Sequence, residues 1–419
     1  MLLTLETAST PPFFSALESS QGTTAILLRR PLDSGARLYT LNNHIAKTIA
    51  TPKSVIPTMA SQTPIRLAIL DDYSGVARQH FARIPNLQID DFPETLNPSK
   101  PADLESIASR LRPYQIVSTM RERTPFPAEL IRRLPNLKLI LNASARNTSI
   151  DIAFASERGI LVSGTKGEAP TGARDLENLP SLPPPKGHSS VVQHNWALTL
   201  ALLSRIPQDD AAVKAQGKAA WHSGLMVPVA GRTLGIVGLG KLGVGTAKVG
   251  VLGFGMKVIA WSENLTQSKA DEAAEGAGLP KGSFKAVSKE ELFQEADVVS
   301  LHLVLSARSR GIVGKSELAQ MKKTAILVNT SRGPLIDEEA FIDVLEQGGI
   351  RGAALDVYWE EPLPKDSKWR SVDSWAKSEV VLSPHMGYVN EGTIHRWYQE
   401  QAENVERWMR EEEVLNPMS

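Results

Sequence analysis

Six residues constrain this chain more than any others: GLGKLG at 238–243. They follow an apolar, β-branched run at Thr233–Val237 and open a glycine-rich helical stretch at 241–252, after which 256–261 (MKVIAW) reads as another strand. In a strand–turn–helix setting each glycine has a separate task. Gly238 permits the tight turn, Gly240 lets backbone approach a pyrophosphate, and Gly243 lets helix and strand pack closely. Beyond Gly240 the helix start at Lys241 and Leu242 offers free N–H groups and the positive end of a helix dipole to phosphates. Glycines can also serve a turn that holds no ligand. The flanking strands weigh against that alternative and predict a dinucleotide-binding α/β unit.

Composition removes several other classes. The 419 residues carry 46 basic and 46 acidic side chains, so no broad field exists for nucleic acid or an anionic membrane surface. The absence of cysteine excludes disulfide scaffolds, cysteine-held metals and thiol nucleophiles. No apolar run approaches the roughly 20 residues that a membrane span needs. The expectation is a cytoplasmic protein without nucleic-acid or membrane partners and with no metal.

The chain reads as four segments. Residues 1–62 are rich in Ser and Thr and lack period, which predicts a poorly ordered extension. A mitochondrial targeting segment is the alternative, but Glu6 and Glu18 precede the first basic residue, Arg29. Residues 63–190 alternate strands (66–72, 115–119, 137–142, 160–163) with helices, which implies a parallel α/β layer. They end in a proline-rich insertion at 166–187, either a lid or a surface excursion. Residues 191–385 begin with a helix at 191–203, apolar all round and expected to pack between two domains. They continue through GLGKLG to strands at 298–303, 325–329, 352–357 and 380–382, with a capping box at Ser288 and Glu291. Residues 386–419 contain an amphipathic helix at 398–413, expected to return to the first layer.

Read in order, RTLGIVGLGKLG, LHLVLSARSRGIVG, AILVNTSRGPLIDEEAF, GAALDVYWEEPLP and VVLSPHMG resemble the D-isomer-specific 2-hydroxyacid dehydrogenase family. Upstream, RLAILDDYSGVA, MRERTPFPAEL and LPNLKLILNASARNTSIDIAFASERGI resemble its substrate domain, so the likeness covers roughly 64–400. It implies two Rossmann-like domains facing a cleft: a discontinuous, flavodoxin-like substrate domain and an NAD(P)-binding Rossmann domain. It also implies a homodimer that transfers a hydride between nicotinamide and a small 2-keto or 2-hydroxy acid such as glyoxylate or hydroxypyruvate. The residues that match the family's catalytic positions are Arg332 (NTSRG), Glu361 (EEP) and His385 (SPH). A histidine suits the proton donor, a carboxylate can fix its tautomer, and an arginine fork suits a carboxylate beside a polarised carbonyl.

Further carry-overs are looser. Asp356 matches a residue near the nicotinamide carboxamide, and Thr330 and His302 match positions beside the cofactor, though a buried structural role for His302 competes. Arg121, Ala145 and Arg146 match loops facing the substrate, where ASARN replaces a glycine-rich turn. Ser262 stands where an NAD enzyme carries an acid for the ribose, with Glu263 one place later. NADP is therefore open, although no Arg stands beside it. The stretch after His385 is short for a regulatory domain. A dinucleotide-sensing scaffold of the corepressor kind keeps the same three residues and competes with the enzyme, as does a remodelled relative serving a specialised pathway.

Overall fold

The computed structural model describes residues 63–167, 188–215 and 221–418. The expected extension at 1–62 and all of the insertion beyond Gly167 lie outside these described residues.

Two parallel sheets organise the chain. The first has five strands, β1 (Ile65–Leu70), β2 (Leu87–Phe92), β3 (Ile116–Thr119), β4 (Leu139–Asn142) and β5 (Leu161–Ser163), in the order β2-β1-β3-β4-β5. This is the flavodoxin-like order, with its switch point between β1 and β3. The second has seven: β6 (Thr233–Val237), β7 (Lys257–Trp261), β8 (Phe284–Ala286), β9 (Val298–Leu301), β10 (Ile326–Asn329), β11 (Gly352–Leu355) and β12 (Glu379–Leu382). Their order, β12-β11-β10-β9-β6-β7-β8, reverses between β6 and β9, as in a dinucleotide-binding sheet. The inner strands β3, β4, β9, β10 and β11 are buried at every residue. That burial explains their continuous apolar runs, since helices cover both faces of a parallel sheet.

Each sheet face has its own core. Helices Pro101–Leu111, Ala128–Arg132 and Ile152–Glu157 cover one face of the first sheet. The other face is covered by Ala77–Phe81 and by the long helix Glu391–Met409, whose Ile394, Trp397, Tyr398 and Val405 pack against Leu67, Ile69 and Leu139. The first sheet is thus completed by residues from near the end of the chain. Among the described residues, no helix is long and apolar enough to cross a membrane.

Several local expectations need correction. The late helix starts at Glu391 rather than 398, because the Asn390 side chain caps it through the Thr393 N–H. Ser288 does cap its helix through the Glu291 N–H, but the Glu291 carboxylate is turned to Lys285, so only half of the box forms. Helix Ser190–Leu203 packs chiefly on the second sheet, where Trp196 lies against Phe254 and Leu234, rather than as a plain apolar wedge between domains. Its polar members are buried and bonded: Asn195 donates to Ser300 and Thr330, and Thr199 donates back to the Asn195 carbonyl.

Candidate active site

His385 lies in the loop after β12 with a left-handed backbone, φ 58°. Such a conformation is uncommon outside glycine and costs on the order of 1–3 kcal/mol, so the surroundings must impose it. They do so through Asp356, which follows β11 and has no solvent exposure. Asp356 Oδ1 accepts the Met386 N–H at 2.7 Å and the Ser383 hydroxyl at 2.7 Å; Oδ2 accepts the Gly387 N–H at 2.9 Å. His194 Nε2 lies 3.1 Å from the same carboxylate and 2.8 Å from Ser383 Oγ. Burial would raise the Asp356 carboxyl, but the bonds from His194, Ser383 and the two backbone groups outweigh it and hold it below the ordinary range.

In this turn His385 Nδ1 stands 2.5 Å from Glu361 Oε2. Glu361 Oε1 accepts the Tyr358 N–H at 2.9 Å, and Oε2 also receives the Arg123 guanidinium at 3.0 Å. Burial pushes the Glu361 carboxyl up. The contact with His385, the Tyr358 N–H and the Arg123 charge together bring it below the usual glutamate range. An ionised carboxylate only accepts, so the imidazole carries its hydrogen on Nδ1 and Nε2 is left for other chemistry. Tyr388 stands edge-on to the imidazole, with ring centroids 5.2 Å apart.

Arg332 sits at the turn after β10. The Asn329 side chain fixes this turn by donating to the Arg332 carbonyl and accepting the Ser331 N–H. The next residue explains how this turn meets the dyad: a Cβ on Gly333 would come within 2.2 Å of the Tyr358 carbonyl carbon, on the segment that leads to Glu361. The Arg332 and Glu361 loops are therefore packed backbone to backbone.

The phosphate loop has the shape that its glycines predict. A Cβ on Gly243 would meet the Gly238 carbonyl oxygen at 2.1 Å, and Gly238 itself has φ 102° with its Cα against His302 and Leu303. A Cβ on Gly240 would meet nothing within 4 Å. Gly240 thus faces open space directly before helix Lys241–Phe254, where the free N–H groups of Lys241 and Leu242 begin. Beneath the loop, His302 Nε2 pairs with Ser300 Oγ at 2.9 Å while its Nδ1 is buried without a partner among the described residues. Burial pushes this imidazole down to about 4, so it is neutral. An open cradle, free helix donors and an orphaned nitrogen together fit a bound dinucleotide.

Residues 196–387 match the family model described as "D-isomer specific 2-hydroxyacid dehydrogenase, NAD binding domain". A glyoxylate reductase of Korarchaeum cryptofilum is 32% identical over 284 residues, which is 67% of this chain and 76% of the relative. One from Thermococcus litoralis is 35% identical over 265 residues, 62% of this chain and 70% of that protein. This chain belongs to the D-isomer specific 2-hydroxyacid dehydrogenases. Their fold likeness extends to the crystal structure of a phosphoglycerate oxidoreductase from Vibrio cholerae. That structure has a TM-score of 0.68 at 30% identity and covers 83% of this chain and 99% of its own.

As a 2-hydroxyacid dehydrogenase, the chain is an oxidoreductase whose cofactor domain is of the NAD-binding kind. Its structure brings Glu361 and His385 into direct contact and packs the turn after Arg332 on the Tyr358–Trp359 backbone, while the Arg332 guanidinium donates to the Ser331 carbonyl at 2.8 Å. Asp356, expected near the nicotinamide carboxamide, has no solvent exposure, and its oxygens are engaged in clamping the His385 turn. Thr330 is likewise nearly buried, with its hydroxyl accepting from Asn195. Ser262 comes directly after β7, whose Trp261 carbonyl accepts the Gly238 N–H, and Glu263 beside it is exposed.

On the first sheet, Arg121 has φ 54° and stacks 4.7 Å above the Tyr388 ring, one ring away from His385. Ala145 and Arg146 are exposed. Asn147, between them and the sheet, donates to the Arg121 carbonyl at 2.6 Å and to Asn142 Oδ1, so it ties both loops together. The motifs place the backbone of Ala145–Asn147 near the substrate but give no sign of the Asn147 side-chain bonds, nor of His194 or Arg123. Arg123 was legible only as a second cation in MRERT, and its partner lies 238 positions away. A cavity of about 660 Å³ opens behind the dyad, with Arg123, Glu361 and His385 in its wall beside Tyr73, Tyr388 and Val372.

Proposed function

We propose that this dehydrogenase reduces a small 2-keto acid to the D-2-hydroxy acid, with His385 as proton donor. The observation that carries this reading is the His385–Glu361 contact in a turn clamped by Asp356. A bound reduced nicotinamide supplies the hydride to the carbonyl carbon. His385 Nε2 supplies the proton to the carbonyl oxygen, and the ionised Glu361 accepts from Nδ1–H and so orients the imidazole. Arg332 offers paired donors to the substrate carboxylate and the carbonyl oxygen. Gly238, Gly240, Lys241, Leu242 and Gly243 would hold the pyrophosphate, and His302 and Thr330 would line the cofactor side. Arg121 and the exposed backbone at Ala145 and Arg146 would close the substrate side. Glyoxylate, named in the relatives, and hydroxypyruvate are the substrates to try first.

Ser262 in the acid's place leaves room for NADP(H) as well as NAD(H). A cytoplasmic homodimer fits the absence of cysteine and the exposure of Trp221, Leu225 and Met226, a patch whose apolar area a second copy would cover. Purified protein with NADH or NADPH and a panel of 2-keto acids, followed by nicotinamide absorbance, tests the reading. Turnover is expected with at least one acid, and His385→Gln should reduce kcat by about 10²–10⁴-fold while leaving dinucleotide binding intact. Tight dinucleotide binding with no turnover on any acid would replace the reading by that of a dinucleotide-sensing scaffold.

A further inference from the structure

Arg123 has no part in the reaction as described, yet it touches its central carboxylate. It lies in the loop after β3, at the switch point of the first sheet, and reaches the second sheet's Glu361. Its Nη1 is 3.0 Å from Oε2, the same oxygen that stands 2.5 Å from His385 Nδ1. The two side chains are only 11% and 19% exposed, unlike the surface pairs whose worth is small. The remaining oxygen is taken by the Tyr358 N–H.

Charge bookkeeping gives this arrangement a purpose. When His385 delivers its proton it becomes neutral, and Glu361 would be left as a lone anion in a poorly solvated site. Arg123 cannot deprotonate, so it keeps the carboxylate paired through that half of the cycle. Other charged or titratable groups face the dyad: Asp71 and Tyr73 beyond β1, Tyr388 with Arg121 stacked on it, Tyr358, Arg370 and Asp373 around the cavity, and the buried Asp356 beside Tyr358. Arg370 is turned to the carbonyls of Leu363 and Pro364, so Arg123 is the permanent cation bonded to Glu361 among the described residues.

We propose that Arg123 is a positioning residue for the dyad, which fixes the Glu361 oxygen that receives His385 and keeps that oxygen charged after proton delivery. The proposal rests on the hydride-transfer reading above. The substrate domain thereby contributes to the proton donor as well as to the substrate pocket.

Arg123→Met and Arg123→Lys test it. The Met variant should lower kcat for reduction by about 10–100-fold with KM for the keto acid changed by less than about threefold. The acid limb of its pH profile should move up by about one pH unit, since an opposite charge at this range shifts a carboxyl by that order. The Lys variant should restore the limb. In a Glu361→Gln background, replacing Arg123 should cost little more, because both act through one contact. A KM rise above about tenfold with kcat retained would overturn the proposal by making Arg123 a substrate ligand. Unchanged kcat and limb, or a full additional loss in the Gln background, would overturn it too. If the Met variant does not fold, the Lys variant and the Gln background decide. One readout needs no turnover: the His385 Nδ1–H proton resonance in histidine-labelled protein should be displaced in the Met variant and regained in the Lys variant. An immobile resonance counts against Arg123 whatever the activity, whereas wild-type protein inert toward every 2-keto acid counts against the hydride-transfer reading.

Discussion

Asp356 and His385 are joined through the chain rather than through their side chains: the carboxylate accepts the N–H groups of the two residues that follow His385 and so dictates its left-handed φ. The placement of this imidazole thus depends on a carboxylate with no solvent exposure. Asp356→Ala strands the Met386, Gly387 and Ser383 donors in a buried place, each unsatisfied group costing about 1–3 kcal/mol. The expected outcome is a lower Tm together with a fall of at least tenfold in kcat. Asp356→Asn, which keeps the shape, should lie between the variant and the wild type. A normal kcat in the Ala variant would mean that the turn holds itself.

Glu361→Gln separates charge from shape. Activity that needs the ionised carboxylate is present above its pKa and lost as pH falls through it. Because that pKa is held below the ordinary glutamate value of about 4.3, wild-type reduction should persist to pH values below it. The Gln variant should lose about 10–100-fold in kcat at neutral pH and show no acid limb from this group. Rate–pH profiles of the two proteins check this.

The phosphate loop allows a contrast between two glycines three positions apart. A Cβ on Gly240 meets no protein atom within 4 Å and the backbone there is extended, so for Gly240→Val the Tm should stay within about 2 °C of wild type while dinucleotide affinity falls by about 100-fold or more. Gly243→Ala drives a methyl into the Gly238 carbonyl and should lower both. Calorimetric titration with NADH and NADPH, beside thermal melts, distinguishes the two effects.

Outside the cleft, His80 and His395 meet at 2.9 Å between helix Ala77–Phe81 and the long late helix. Burial first, then the charges of His395 and Arg83, push His80 down to about 4, with Asp72 opposing. The unfolded chain binds this proton near 6.5, so between pH 6.5 and 4 the unfolded state holds more protons and stability falls as pH falls. The loss from this group is about 3 kcal/mol across the window. Wild-type protein should therefore melt earlier at pH 5 than at pH 7, and His80→Gln should narrow that difference.

Much of this is legible in the sequence. The inner strands announced themselves because burial on both faces leaves apolar runs such as AILVN, and GLGKLG located its own switch point. Edge elements were not legible: Leu87–Phe92 was passed over because an edge strand tolerates Asp90 and Asp91, which find Arg66, Tyr114 and Arg78 alongside. The family's motifs pointed to Glu361 and His385, which now touch. They could not reveal that Asp356 faces inward or that Arg123 crosses from the other sheet. Both depend on contacts between residues 27 to 238 positions apart, for which local spacing carries no signal.

The late helix Glu391–Met409 has a consequence for how the molecule is made. The second sheet is contiguous in the chain, whereas one face of the first is only partly covered, by helix Ala77–Phe81, until Trp397, Tyr398 and Val405 have been synthesised. The strands that leave the ribosome first are therefore the last to be sealed. Until then, a newly made chain presents Leu67, Ile69 and Leu139 to solvent while the dinucleotide half already has all its parts.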